Sequence, residues 1–453
     1  MEINTAIVAG TGKSGISATK LLVNHGVKVY LFDENKDRDI EAIKEKTGDS
    51  ELVQIELGEL GEDALSSSQL MVISPGIPVD APFTDVVRNA GIPIWSEIEL
   101  AYHYGKGKIA AITGTNGKTT TTALVGEIVK AHNAKTIVVG NIGIPYTELC
   151  DTTDDDSDTV AEISSFQLET VIDFHPNVSA ILNLTPDHLN RHYTFENYGN
   201  VKFSITKNQT MDDVTVLNYD DEHTRAMGEK AKDHCHVVYF SRLEKPAGGV
   251  YVEDGDIILE DGDKKINVLA IKDLKLMGAH NVENVLAAVG ISYYMGVPVD
   301  VIRDVATSFK AVAHRIEYVD TVDGVAYYND SKGTNPDAAI KGIQAMVAPT
   351  FLIGGGYDKG SEYDEWIEAF DGKVKWLVLI GQTAQKIADC AKRHGFNSII
   401  FEKNLQDAVA YCHENAVDGD AVLLSPACAS WGQFDNYEQR GDMFKEYVRS
   451  YKE

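Results

Sequence analysis

One stretch constrains this chain more than any other: Ile112-Thr113-Gly114-Thr115-Asn116-Gly117-Lys118-Thr119-Thr120. A short apolar run, Ile109 to Ile112, precedes it, and a helical pattern, Thr121 to Val129, follows. A buried strand, a glycine-bearing turn and a helix start together form an anion cradle. Backbone N–H groups and the positive end of the helix dipole face a phosphate there. Gly114 and Gly117 allow close backbone approach, Lys118 can reach the outer phosphates, and the Thr119 hydroxyl can bind Mg²⁺. The pattern departs from the usual phosphate loop at Ile112, where a glycine is common. A plain Gly- and Lys-bearing turn is the alternative reading.

At about 100–200 residues per domain, 453 residues predict three domains, with two as the alternative. The net charge of −28 argues against nucleic acid and anionic membranes as partners. An anionic substrate then needs a local basic pocket. Cys150, Cys235, Cys390, Cys412 and Cys428 show no Cys-x-x-Cys pair and no His/Cys cluster of zinc spacing, so reduced cytosolic thiols are expected. Neither a signal peptide nor a membrane-length apolar run is visible, and a cytoplasmic protein is expected.

The first hundred residues open on a buried strand, Thr5 to Ala9, and the spacing Gly10-Thr11-Gly12-Lys13-Ser14-Gly15. A helix pattern and a second strand ending in Asp33 follow. This is a βαβ start with an acid where a ribose hydroxyl binds. It predicts a Rossmann-type binder of a diphosphate-bearing nucleotide and leaves an NAD dehydrogenase open. Ser74-Pro75-Gly76 ends another buried strand and could line the same crevice, since ligands of open α/β sheets sit at strand carboxyl ends.

In the central segment, strands end in Gly140-Asn141-Ile142-Gly143 and in Glu162 before Ser164-Ser165-Phe166-Gln167-Leu168-Glu169, and a core strand, Val178 to Leu184, leads into Asp187-His188. A carboxylate at a strand end after a phosphate loop is where a Mg²⁺-binding acid belongs. His188 follows a strand tip of the same sheet, and a metal or phosphate role is expected for it. By composition Lys202 is a surface lysine on a helix. Three short strands with Asp254-Gly255 and Asp261-Gly262 turns predict a small antiparallel sheet. Asn281 and Asn284 are expected as caps of a helix beginning at Val285.

The last segment alternates strands and helices again, as in a second open α/β sheet. Its strand tips collect Asp330, Lys332, Lys359, Ser430 and Arg440, which suit an anionic substrate.

Taken together, these motifs resemble the Mur ligases over essentially the whole chain. The likeness rests on Gly114 to Thr119, Gly140 to Gly143, Glu162 with Ser164 to Glu169, and Asp187-His188. It continues through Gly278 to Asn284, His314-Arg315, Asn329 to Lys332 and Gly354 to Gly356. Within the family it is closest to the D-glutamate-adding members, through Gly10 to Gly15 with Asp33 and through Ser425 to Ser430 with Phe434, Tyr437 and Arg440. An Asp-Asn-Pro-Arg sequence, which marks diaminopimelate or lysine adders, is absent. Tyr437 stands where a Phe is often found.

The resemblance implies three α/β domains. They are a Rossmann-like UDP-substrate domain (1–105), a central P-loop ATPase-type domain (106–311) carrying a mostly parallel sheet and the small antiparallel one, and a Rossmann-like amino-acid domain (312–453). It implies a cytoplasmic, monomeric, ATP- and Mg²⁺-dependent ligase of peptidoglycan synthesis that joins D-glutamate to UDP-N-acetylmuramoyl-L-alanine. ATP would contact Gly114, Thr115, Asn116, Gly117, Lys118, Thr119, Thr120, Asn284, Arg315 and Asp330. Two Mg²⁺ ions would be held by Thr119, Glu162, His188 and Lys202, the last as a carbamate, because an ammonium cannot ligate a metal. The catalytic set would be Lys118, Glu162, His188 and Lys202. Gly12, Lys13, Ser14, Asp33, Ser74, Pro75, Gly76, Asn141 and Ser164 would hold the UDP-bearing substrate, with Asn141 steadying the transferring phosphoryl group. Lys332, Thr334, Lys359, Ser430 and Tyr437 would surround D-glutamate. A folylpolyglutamate synthase, the rival within the family, has no need of the hundred residues before the phosphate loop.

Overall fold

The computed structural model describes residues 3–141, 143–276, 278–310 and 313–452. Ile142 of the Gly140–Gly143 motif, Met277 and the expected boundary at 311/312 lie outside the described residues. Chain contacts divide the protein into two compact units, Met1–Asp273 with Glu283–Thr307, and Leu274–Val282 with Ser308–Glu453.

The first unit holds two sheets. The N-terminal one comprises β1 (Thr5–Ala9), β2 (Lys28–Asp33), β3 (Val53–Leu57), β4 (Leu70–Ile73) and β5 (Ile94–Ser96) in the order 3-2-1-4-5, all parallel. Ala6 to Ala9 and Leu70 to Ile73 are buried on both faces, which is why these strands are apolar without alternation. The strand order reverses between β1 and β4, so the loops after these two strands flank a crevice.

The second sheet comprises β6 (Lys108–Thr113), β7 (Ile137–Gly140), β8 (Asp158–Glu162), β9 (Val178–Ile181), β10 (Val214–Asn218), β11 (His236–Ser241), β12 (Val250–Glu253), β13 (Asp256–Asp261) and β14 (Lys264–Ala270). Its order is 14-13-12-11-10-9-6-8-7. β6 lies between β8 and β9, so the loop after β6 emerges between two neighbouring strand tips.

The expected antiparallel strands are present as β12 to β14 and continue the parallel sheet. β11 pairs in parallel with β12, so one nine-stranded sheet runs from the phosphate loop to the hairpins. Two other expectations, the end of β9 and the start of the helix near Val285, need correction. β9 ends at Ile181 rather than at Leu184. The Leu182 N–H bonds to the Thr113 carbonyl and Asn183 turns into the phosphate loop. The helix expected from Val285 already begins at Ala279, so Asn281 and Asn284 lie inside it and are not its caps.

The second unit carries β15 (Glu317–Val322), β16 (Val325–Asn329), β17 (Thr350–Gly354), β18 (Val374–Leu379), β19 (Ile399–Phe401) and β20 (Ala421–Leu424). The order is 15-16-20-17-18-19, with only β15 antiparallel. Loops after β16, β20 and β17 therefore rise side by side from adjacent strand ends. Among the described residues, no helix is long and apolar enough to cross a membrane.

Candidate active site

The phosphate loop is pinned by its neighbour strand. Thr115 N–H donates to the Asn183 carbonyl at 3.0 Å, and the Asn183 side chain accepts from Asn116 N–H at 2.8 Å and donates back to the Asn116 carbonyl at 3.1 Å. The Thr115 hydroxyl meets Tyr198 Oη at 3.1 Å and donates to the Thr185 carbonyl at 3.1 Å. Gly117 takes φ +84°, and a Cβ there would stand 2.3 Å from Asn284 Oδ1, so glycine is required on both counts. Asn284 thus sits against the loop and also accepts from the Thr121 hydroxyl at 3.3 Å. Sequence reasoning missed Asn183. Its one available signal was an Asn directly after an apolar strand beside the loop.

Lys118 opens the helix Lys118–His132, and its Nζ curls back on the Gly114 and Thr115 carbonyls, each at 2.8 Å. Lys202, expected as a surface residue, is 1% exposed. Its Nζ donates to the same Gly114 carbonyl at 2.9 Å and stands 4.8 Å from the Tyr198 ring centroid. Burial, reinforced by the charge of Lys118, holds the Lys202 amine well below the ordinary lysine range, with Asp187 and Glu162 opposing. Lys118, Glu162 and Asp187 therefore all lie within electrostatic reach of Lys202.

Glu162 ends β8, is buried, and pairs across to Ile112 and Gly140. Its Oε1 accepts from Asn141 Nδ2 at 3.0 Å and its carbonyl accepts from Asn141 N–H at 2.8 Å. Thr119 and Thr120 are buried in the first helical turn. His188 has φ +52°, lies half exposed 3.4 Å from Asp187, and packs on Phe166 with ring centroids 4.8 Å apart. Ser164 is a helix cap whose hydroxyl and N–H both engage Gln167 in a reciprocal capping box.

Around the first sheet's switch point, Ser74 packs on Gly10, whose added Cβ would lie 2.6 Å from Ser74 Oγ. That hydroxyl is buried and makes no hydrogen bond. Gly12 caps the helix Lys13–Asn24, which also contains Ser14. Asp33 is already engaged. Its carboxylate accepts from the Thr11 hydroxyl at 2.6 Å, Thr11 N–H at 3.1 Å, Arg38 Nε at 3.2 Å and Asn35 N–H at 3.0 Å. Burial pushes its pKa up, but these donors outweigh it and the carboxyl titrates below the usual range. Thr11 and Arg38 were not singled out from the sequence. A cavity of about 630 Å³ runs along one flank of the Lys13–Asn24 helix and takes in Gly12 and Lys13, but Asp33, Ser74, Pro75 and Gly76 do not line it. Three contacts tie this region to the central loops. Lys13 Nζ donates to the Gly143 carbonyl, Arg191 Nη2 donates to the Ile77 carbonyl at 2.8 Å, and the Tyr193 hydroxyl donates to Asp80.

In the second unit, Asp330 is buried at the end of β16. Ser425 Oγ donates to its carboxylate at 2.7 Å and Ile316 N–H at 3.3 Å. Burial raises its pKa to about 7, against the pull of Ser425 and Arg315. Arg315 Nε is buried without a hydrogen bond. Arg440, fully buried, donates to Ser331 Oγ at 2.9 Å, the Ser331 carbonyl at 2.8 Å and the Cys428 carbonyl at 3.2 Å. It thereby fastens the loop bearing Lys332 and Thr334 to the loop bearing Ser430. Lys332 Nζ lies 5.6 Å from the Tyr437 ring centroid, and Lys359 Nζ lies 5.4 Å from that of Trp431, directly after Ser430.

The expected residues thus fall into three groups: the Gly10–Gly15 loop with Ser74 and Asp33, the phosphate loop with Glu162, Lys202 and Asn284, and the adjacent tips of β16, β17 and β20; the described ring contacts of His188 are with Asp187 and Phe166. Hard oxygen donors (Thr119 and Glu162) beside a phosphate cradle suit Mg²⁺.

Known proteins resemble this chain along its length. Three family models match: the Mur ligase MurD-like N-terminal domain over 4–96, the Mur ligase middle domain over 112–292, and the Mur ligase glutamate ligase domain over 314–428. The chain is 56% identical over 450 residues to UDP-N-acetylmuramoylalanine--D-glutamate ligase of Lachnospira eligens, covering 99% of both chains. It is 51% identical over 447 residues to the enzyme of the same name from Lachnoclostridium phytofermentans, covering 99% of this chain and 98% of the relative. Among solved structures, UDP-N-acetylmuramate-alanine ligase from Thermotoga maritima aligns with a TM-score of 0.61 at 18% identity, covering 99% of this chain and all of that one. MurF ligase from Thermotoga maritima in complex with ADP aligns with a TM-score of 0.60 at 17% identity, covering 98% and 95%. Matched in each of its three segments and along nearly its whole length, this chain belongs to the Mur ligase family.

Proposed function

We propose that this protein is the ligase that joins D-glutamate to UDP-N-acetylmuramoyl-L-alanine at the expense of ATP, in peptidoglycan precursor synthesis. The name carried by relatives 56% and 51% identical supports the substrate assignment. One structural observation supports the chemistry: Lys118 and Lys202 both reach the Gly114 carbonyl in the loop between β6 and its helix, with the Glu162 charge acting on Lys202.

A carboxylate and an amine do not condense in water, so the L-alanine carboxylate must first be activated. Transfer of the ATP γ-phosphoryl group to it gives an acyl phosphate and ADP. Attack by the D-glutamate amine forms a tetrahedral centre that expels phosphate and leaves the amide. Lys118, now curled on its own loop, turns to the β- and γ-phosphates. The N–H groups at the start of the Lys118–His132 helix cradle the same oxygens. Asn141, fixed by Glu162, steadies the group in transit. Thr119 and Glu162 would hold one Mg²⁺, and His188 with Lys202 the second. The ions supply charge neutralisation where two anionic reactants must meet. Lys202 fits this role only as a carbamate. Its depressed pKa leaves the neutral amine that attack on CO₂ requires, and the carbamate would turn away from the Gly114 carbonyl that the amine now faces.

Asn284, Arg315 and Asp330 contact ATP, and the buried, unbonded Arg315 Nε supports such a role. Gly12, Ser14, Asp33 and Ser74 hold the uridine diphosphate, with the unbonded Ser74 hydroxyl as one available donor. Lys332, Thr334, Lys359, Ser430 and Tyr437 receive D-glutamate. The domain limits follow as 1–105, 106–311 and 312–453, and the protein works as a cytoplasmic monomer. Purified protein with ATP, Mg²⁺ and UDP-N-acetylmuramoyl-L-alanine should release phosphate on addition of D-glutamate. Release with L-glutamate or D-alanine instead would refute the substrate assignment. Lys202→Ala should lose activity and regain part of it in a short carboxylic acid. An absence of recovery counts against the carbamate.

A further inference from the structure

The helices Asp364–Glu368 and Ala384–Arg393 pack against each other in the second unit. Each contributes a pair of side chains four residues apart, the spacing that stacks two side chains on one helix face. One pair is Asp364 and Glu368. The other is Cys390 and His394, the latter being the helix's C-terminal cap. Ligand atoms of Asp364, Cys390 and His394 all lie within 4.8 Å of one another. His394 Nε2 is 2.8 Å from Asp364 Oδ1, and its other ring nitrogen is 3.6 Å from Glu368 Oε1.

We propose that Asp364, Cys390 and His394 form a binding site for one divalent metal ion of the zinc class, with Glu368 fixing the imidazole from behind. A sulfur, an imidazole and a carboxylate converge there, a donor set that suits Zn²⁺ or Co²⁺ rather than Mg²⁺. A carboxylate on the far nitrogen of a histidine is the usual outer support of such a ligand. Zinc spacing was not evident in the sequence, because Cys390 and His394 supply only two ligands and the third comes from 26 residues upstream, on another helix.

A second cluster, Glu99, His103 and Asp173, offers a useful contrast. The Glu99 carboxylate already accepts from the N–H groups of Ile172, Asp173 and Phe174 at 2.7–3.0 Å, so it serves as an anchor for that turn. Asp364 has no backbone donor of this kind among its described hydrogen bonds. Its cationic neighbour Arg393, 3.5 Å away and 61% exposed, is able to swing aside.

Binding exchanges a proton for the metal: the Cys390 S–H bond breaks, a sulfur–metal bond forms, and the proton leaves to solvent. Because the thiol gives up its proton on binding, affinity should rise with pH.

The test is a titration of reduced, chelator-treated full-length protein with Co²⁺, followed by sulfur-to-cobalt charge-transfer absorption. One equivalent should produce the band, Zn²⁺ should abolish it, and Cys390→Ala should never show it. Glu368→Gln should weaken binding by about tenfold, and His394→Gln by more. No charge-transfer band, or a band that survives Cys390→Ala, overturns the proposal. If Cys390→Ala fails to fold, the partly exposed His394→Gln decides the matter, because unchanged affinity in that variant also overturns it.

Discussion

Lys118 and Lys202, 84 positions apart in sequence, donate to the same acceptor, the Gly114 carbonyl oxygen, at 2.8 and 2.9 Å. Two cations on one carbonyl repel each other. Burial together with the charge of Lys118 drives Lys202 towards the neutral amine.

Lys118→Ala should therefore do two things. It should lower kcat by on the order of 10²-fold or more, as loss of a charge-stabilising donor does. It should also raise the pKa of Lys202, because one cause of its depression is gone. Steady-state kinetics reads the first effect, and pH-dependent labelling of the Lys202 amine reads the second. A drop of less than tenfold would remove Lys118 from the phosphate path.

Gly117→Ala places a Cβ at φ +84° and 2.3 Å from Asn284 Oδ1. The backbone term alone costs about 1–3 kcal/mol. The expected result is a lower Tm and a raised KM for ATP, with the KM for D-glutamate little changed. Adding Asn284→Ala should relieve the steric part of the Tm loss and leave the backbone part. Equal Tm values for Gly117→Ala and the parent would contradict the loop geometry.

Arg440→Lys keeps the charge and loses the fork that reaches Ser331 and Cys428 together. The Lys332 and Ser430 loops should then drift apart. We expect the KM for D-glutamate to rise about tenfold or more, consistent with loss of roughly 1.5–3 kcal/mol of charged hydrogen bonding, while the KM for UDP-N-acetylmuramoyl-L-alanine holds. A uniform rise in every KM would point to general unfolding instead, which circular dichroism would reveal.

Asp330 gives a pH signature. Its folded pKa of about 7 lies above the unfolded value of 3.8, so the folded state holds the proton more tightly. The stability this confers is complete below pH 3.8 and is lost progressively as the pH rises to about 7. Asp330→Asn removes that slope. Unfolding of parent and variant, compared from pH 4 to 8, should show the variant gaining on the parent up to about pH 7 and holding a constant lead beyond. Parallel curves across the range would be inconsistent with a buried, protonated carboxyl.

Much of this was legible in the residues themselves. Gly114 to Lys118 announces its loop because few other sequences bring backbone so close to an anion, and apolar strands that end in Glu162 or Asp330 mark their own tips. What stayed hidden depends on neighbours distant in sequence. Lys202 looks solvated on a helix, and only the packing of Thr113, Gly114 and Tyr198 around it shows otherwise. Asn284 resembles a cap because nothing local says that Gly117 will sit beneath it. How the hairpins join the parallel sheet was not legible, because the pairing that does it, Phe240 with Val250 and Ser241 with Tyr251, spans only two residue pairs. Thr11 and Arg38 gain meaning only once Asp33 is seen to gather them.

The bonds from Lys13 to Gly143, from Arg191 to Ile77 and from Tyr193 to Asp80 join the first two sheets inside one unit. The loops after β1 and β4 are thereby held against the central loops before any ligand arrives. For ligands seated on these two sheets, the entropy of aligning one with the other would be settled largely when the chain folds.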